Sequence, residues 1–166
     1  MADFIDYAYR AMDFYPLTYK LNDMVANFTY EKKLDIFYFL SNEIKKNSSI
    51  RDYIQKEAHI KASLITYLCQ NNYYEVLSVV ETNKGYADII LNPIHEEISY
   101  GAIIELKYLS KKEYNEDSLK QKVNEAKEQL TKYDISKNTH ILKEDIKFLK
   151  IVLVYRVWEL MYCEEL

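Results

Sequence analysis

Residues 86–91 read Tyr-Ala-Asp-Ile-Ile-Leu and residues 102–108 read Ala-Ile-Ile-Glu-Leu-Lys-Tyr. These are the two segments that look most like buried strands, yet Asp88, Glu105 and Lys107 sit inside them. A charge at a core position costs several kcal/mol unless it is paired or binds a metal, so charges placed this way mark function. Glu105 and Lys107 are two apart and project to the same face of a strand. A carboxylate and an ammonium therefore share one cleft, which Asp88 can join from the neighbouring strand.

Outward from this pair, residues 75–81 (Glu-Val-Leu-Ser-Val-Val-Glu) read as a preceding strand, joined by Thr-Asn-Lys-Gly in hairpin style. Gly85 and Gly101 stand just ahead of the two charged strands, with Pro93 in the turn between them. A helix is expected from about Asn115 to Tyr133, with Leu119, Val123, Ala126, Leu130 and Tyr133 on one stripe. Gln129 lies at its margin, one turn before Tyr133. The run from Phe148 to Trp158 contains Ile-Val-Leu-Val-Tyr, a strand covered on both faces. The long helical crossing predicts that it lies parallel to the 102–108 strand.

Upstream, a helix is expected from Ser49, its cap, to about Gln70, burying Ile54, Ala58, Ile65 and Leu68. Glu57 lies beside Ala58 in the column of Lys61 and Leu64. Residues 3–46 read as helices: Asp3 caps the first, Leu17, Leu21, Met24, Val25 and Phe28 stripe the second, and Leu34, Phe37, Leu40 and Ile44 the third. His59, His95 and His140 lack ligand spacing.

The 166 residues suit one domain with a small appendage. A net charge of -4 provides no global attraction for nucleic acid, so any such binding needs a local basic face. Lys111, Lys112, Lys120, Lys122 and Lys127 are candidates for it. Cys69 and Cys163 lack zinc or disulfide spacing and read as buried thiols of a reducing compartment. With no signal-type or membrane-spanning run, the expected location is cytoplasmic. The 17 Tyr read as packing at the core edge more than as a base-stacking set.

The order helix, three strands, helix, strand, with Asp88, Glu105-Leu106-Lys107 and then Gln129 and Tyr133, resembles the PD-(D/E)XK nuclease superfamily with the Gln-x-x-x-Tyr of RecB-type members. The phrases Glu-Thr-Asn-Lys-Gly-Tyr-Ala-Asp-Ile-Ile-Leu and Ile-Ile-Glu-Leu-Lys-Tyr are most similar to a bacterial subgroup usually fused behind an AAA-type ATPase-like domain. Ala87 stands where the superfamily name has Pro; that position holds no ligand. The resemblance implies an α/β fold with a restriction-endonuclease-like core: a mixed central sheet in α-β-β-β-α-β order with helices on both faces. Residues 51–166 would form it, with residues 1–50 as a helical appendage or linker. It implies a nuclease acting on DNA ahead of RNA, with Mg or Mn held by Asp88, Glu105 and the Leu106 carbonyl. Lys107 would assist the attacking water, and Glu57 would act through water or on a second ion. Gln129 and Tyr133 would position substrate or site. The alternatives are a nuclease-fold binding module that works with an AAA-type ATPase without turnover, and a helical interaction protein carrying a chance motif.

Overall fold

The computed structural model describes residues 14–82, 85–133 and 146–166. The expected Asp3 cap, the first helix and His140 lie outside them. The elements are α1 (Phe14–Glu31), α2 (Asp35–Lys46), α3 (Ser48–Tyr53), α4 (Glu57–Leu68), β1 (Tyr74–Thr82), β2 (Gly85–Pro93), β3 (Tyr100–Leu109), α5 (Glu116–Lys132), β4 (Lys147–Arg156) and β5 (Glu159–Glu165).

One mixed sheet runs in the order β1-β2-β3-β4-β5. β3 and β4 pair in parallel from Tyr100↔Lys147 to Leu109↔Arg156, as the intervening helix demands, and the other neighbours are antiparallel. Alternation divides the sheet between two cores. Ile89, Leu91, Ile104, Leu106, Leu153 and Tyr155 pack with residues of α1, α2 and α4, whereas Ile90, Ile103, Val152 and Val154 pack with Val123, Ala126 and Leu130 of α5. Helices therefore cover both faces, the α/β architecture of a restriction-endonuclease-like core.

Helix boundaries follow local chemistry. α1 stops at Lys32, whose φ of 55° is the left-handed cap position, with its N–H on the Phe28 carbonyl at 3.0 Å. Asn47 caps α3, accepting from the Ile50 N–H, where the sequence favoured Ser49. The single helix expected from Ser49 to Gln70 is two helices, because the chain is extended at Ile54 and again at Lys56. Ile54 is drawn into the core at that break. Restarting at Glu57 resets the helical phase, so Ile60, Leu64, Tyr67 and Leu68 are buried and Ala58 is exposed. Cys69 follows α4 at its C-cap and is exposed, which corrects the expectation of a buried thiol. Cys163 is half-buried, and burial pushes its thiol up to about 12.

β5 was not expected. The sequence ends its last strand at Trp158, but β4 ends at Arg156 and the chain reverses through Val157, at φ 57°. A β-branched residue there is strained, and the hairpin lacks the Gly or Asn that would announce it. Val157 is buried in the larger core, and its N–H bonds the Leu109 carbonyl at 3.0 Å, which holds the turn. Ser41 of α2 fastens the same corner, donating to the Trp158 carbonyl at 3.0 Å and accepting from the Leu160 N–H at 3.1 Å.

Pro93 is the last residue of β2 and Gly101 lies within β3, so neither occupies the turn or strand approach expected for it. At Gly101 a Cβ would run into the Phe148 ring and lie 2.7 Å from the Leu91 carbonyl oxygen. The backbone contact cannot yield without disturbing the β2–β3 ladder. Gly101→Ala is therefore expected to destabilise the fold by about 1–3 kcal/mol, read as a lower urea midpoint at unchanged slope.

Candidate active site

The site begins where two strands part. β2 and β3 pair at Leu91↔Ala102, Ile90↔Ile103 and Ile89↔Ile104, while β3 stays paired to β4 as far as Leu109. One residue beyond the shared ladder, a side chain replaces the backbone acceptor: Asp88 Oδ2 takes the Leu106 N–H at 2.9 Å. The other oxygen, Oδ1, accepts from Lys61 Nζ at 3.0 Å.

Glu105 shares the alternation of Ile103, which packs with α5, while Asp88 meets α4 through Lys61. Glu105 is only 2% exposed. Its Oε1 accepts from Lys107 Nζ at 2.8 Å and its Oε2 from the Tyr133 hydroxyl at 3.1 Å. Burial raises the Glu105 pKa above the ordinary carboxylate range; the Lys107 bond opposes this and the Asp88 charge adds to it. Asp88 and Glu105 thus lie within electrostatic reach of each other. The Tyr133 phenol is pushed upward too, by burial and then by Glu105, so it stays a donor.

Glu57 opens α4, and its pKa is raised chiefly by burial, with Lys107, Asp88, Lys122 and Lys61 all within reach of its charge. It also lines an open cleft of about 600 Å³ with Tyr108, Ser110, Ser118, Gln121 and Lys122. Gln129 is half-buried, and its Oε1 is buried with no hydrogen-bond partner. The structure thus brings Asp88, Glu105, Lys107, Tyr133 and Glu57 into one electrostatic neighbourhood. Sequence reasoning passed over Lys61 as a site residue; the signal was its place one turn after Glu57 on α4.

The other lysines are less available than their sequence suggested. Lys122 pairs with Glu125 at 2.8 Å, Lys127 pairs with Glu164, and Lys111 lies over the Trp158 ring; Lys112 and Lys120 are exposed. His59 stacks on Tyr53 and accepts from the Gln55 N–H, as a packed imidazole does.

No group of three or more His, Cys, Asp or Glu side chains able to hold a metal ion forms among the described residues. That donor set does not suit an ion needing an all-protein cage, but it does suit Mg2+. This ion keeps several waters and is bound by one or two carboxylates with substrate phosphate. Asp88 and Glu105 fit it: they are hard oxygen donors, close enough to repel, and now compensated by two ammonium groups.

The family model for the PD-(D/E)XK nuclease superfamily matches residues 55–165. No curated protein and no solved structure matches the chain. Among the described residues no helix is long and apolar enough to cross a membrane.

Because the Glu105 and Glu57 pKa values are raised on folding, the folded state holds protons that the unfolded state has released. Metal-free stability should therefore decline as pH rises from the ordinary carboxylate value through the folded ones. Urea denaturation across pH 4 to 8 should show this decline, and Glu105→Gln should flatten it. An equal decline in the variant would place its cause elsewhere.

Proposed function

Since the chain belongs to the PD-(D/E)XK nuclease superfamily, we propose that it is a metal-dependent nuclease hydrolysing phosphodiester bonds, of DNA ahead of RNA. Nuclease-type activity and nucleic acid as its target come with the family. The nearness of Asp88 to Glu105, with Lys107 bonded to Glu105 where β2 and β3 separate, supports this assignment above all.

A phosphodiester is anionic and repels hydroxide. A bound Mg2+ or Mn2+ would neutralise the phosphate and lower the pKa of the attacking water. Asp88, Glu105 and the Leu106 carbonyl would hold the ion, with the Leu106 N–H fixing the Asp88 carboxylate from behind. Lys107 would turn from Glu105 to orient the water and stabilise charge building on phosphate. Tyr133 would keep Glu105 aligned through its hydroxyl. Gln129, with an unspent buried acceptor, would engage a substrate donor. Glu57 would take part through water or a second ion. The roles of Gln129 and Tyr133 follow the Gln-x-x-x-Tyr resemblance, and that of Glu57 follows the superfamily resemblance.

We assign residues 51–166 to the nuclease unit, and α1 and α2, which pack on its larger core, to the appendage that would join it to an AAA-type ATPase-like partner, on the same or another chain. A cytoplasmic location suits that assembly. The pairing of both carboxylates with lysines favours a second reading, a binding module that works with the ATPase and has no turnover of its own.

Labelled linear, circular and single-stranded substrates, incubated with Mg2+ or Mn2+ and against EDTA, separate the two. Asp88→Ala, Glu105→Ala and Lys107→Ala should each abolish metal-dependent cleavage, because groups acting as one unit lose activity non-additively. Gln129→Ala should be milder. Binding without cleavage, in the presence of the partner ATPase, would support the binding module; cleavage that survives Lys107→Ala or EDTA would refute the nuclease.

A further inference from the structure

Lys61 has no role in the chemistry derived above, yet it touches a proposed ligand directly. Its Nζ lies 3.0 Å from Asp88 Oδ1, and the two side chains are 19% and 18% exposed. All four carboxylate oxygens of the pair are engaged: Asp88 by Lys61 and the Leu106 N–H, Glu105 by Lys107 and Tyr133. Each oxygen keeps a second lone pair, so the hydrogen bonds alone do not bar a divalent cation; the two ammonium charges beside it oppose it, and it binds best where one of them gives way. The backbone N–H cannot leave, and Tyr133 is fixed at the end of a packed helix. The lysines can leave, because a flexible stem carries each ammonium.

Charge points the same way. Within the two ion pairs Asp88, Glu105, Lys61 and Lys107 cancel one another, and Glu57, within reach of both lysines, adds a negative charge where it is ionised. Adding a divalent ion leaves those four groups with a surplus of two positive charges. A phosphodiester brings one negative charge, and attack by hydroxide raises it to two in the transition state, which that surplus matches. The match requires Lys61 to stay near the site after leaving Asp88, facing the phosphate.

We propose that Lys61 is the counter-ion of Asp88 in the metal-free protein and becomes a phosphate-binding residue once a divalent cation has taken Asp88 Oδ1. The residue exchanges one anion for another, so substrate contact and metal binding are coupled through a single side chain. This proposal rests on the nuclease assignment. It differs from a structural role, in which Lys61 merely braces Asp88 for the metal.

Two binding measurements on the full chain test it, with folding checked by circular dichroism. In Lys61→Met, Mn2+ titrated by calorimetry without nucleic acid should bind about tenfold more tightly, since a competing positive charge beside the ligand is gone. The same variant should bind a labelled oligonucleotide in Ca2+ more weakly, and the slope of log K against log salt should shrink by about one. Lys61→Arg, which keeps the charge, should stay near wild type in both. Weaker or unchanged Mn2+ binding in Lys61→Met, or an unchanged salt slope, would overturn the proposal while leaving the nuclease assignment standing. A wild-type protein that binds no Mn2+ would overturn both, and a Lys61→Met chain that fails to fold would show a structural brace and overturn the exchange.

Discussion

Asp88 accepts the Leu106 amide at the point where β2 and β3 stop pairing, and the site depends on that bond. It satisfies an N–H that the absent ladder would leave bare in the core, where an unpaired donor costs about 1–3 kcal/mol. It also fixes a carboxylate beside the strand that carries Glu105 and Lys107. The opening between the strands and the position of the first acid are therefore one feature. Burial of Glu105 follows from it, since β3 remains covered by β4 on one side and by α5 on its face.

Two acids in such a place require positive charge, and the chain supplies it locally. Lys107 comes from the same strand as Glu105 and Lys61 from α4, so one ion pair closes within β3 and the other ties α4 to β2. Ion pairs as buried as these add little net stability against desolvation, and under the proposed function they would keep the acids ready for a stronger cation. The wider surface follows another rule. Lys122 and Lys127 are neutralised by nearby acids on a chain of net charge -4, so the expected basic face is reduced chiefly to the exposed Lys112 and Lys120.

Much of this was legible in the sequence because its signals were conflicts or periodicities. Charges inside apolar strands exposed Asp88, Glu105 and Lys107, and the 3.6-residue stripe of α5 foretold the buried Val123, Ala126 and Leu130. The parallel β3–β4 pair followed from the crossing helix. What escaped notice depended on tertiary context. The α3–α4 break has no Gly or Pro, because burial of Ile54 takes their place. β5 begins after a turn on Val157, a residue that local preference would keep out of one. In the sequence Lys61 only shares a helical column with Glu57 and Leu64, and the approach of α4 to β2 where its pairing with β3 stops gives it Asp88 as a partner. Cys69 was misjudged because apolar neighbours in sequence do not decide which way a helix end faces.

The central claim is that Asp88 and Glu105 form one cation site that lysines fill until a divalent ion arrives. A crystal grown with Mn2+, and phased for its anomalous scattering, tests this most directly. The account predicts a peak at about 2.0–2.2 Å from carboxylate oxygens of both Asp88 and Glu105 and from the Leu106 carbonyl, the range for hard-oxygen coordination, with Lys61 withdrawn from Asp88. Full Mn2+ occupancy elsewhere on the chain, with Lys61 and Lys107 still seated on the two carboxylates, would contradict it.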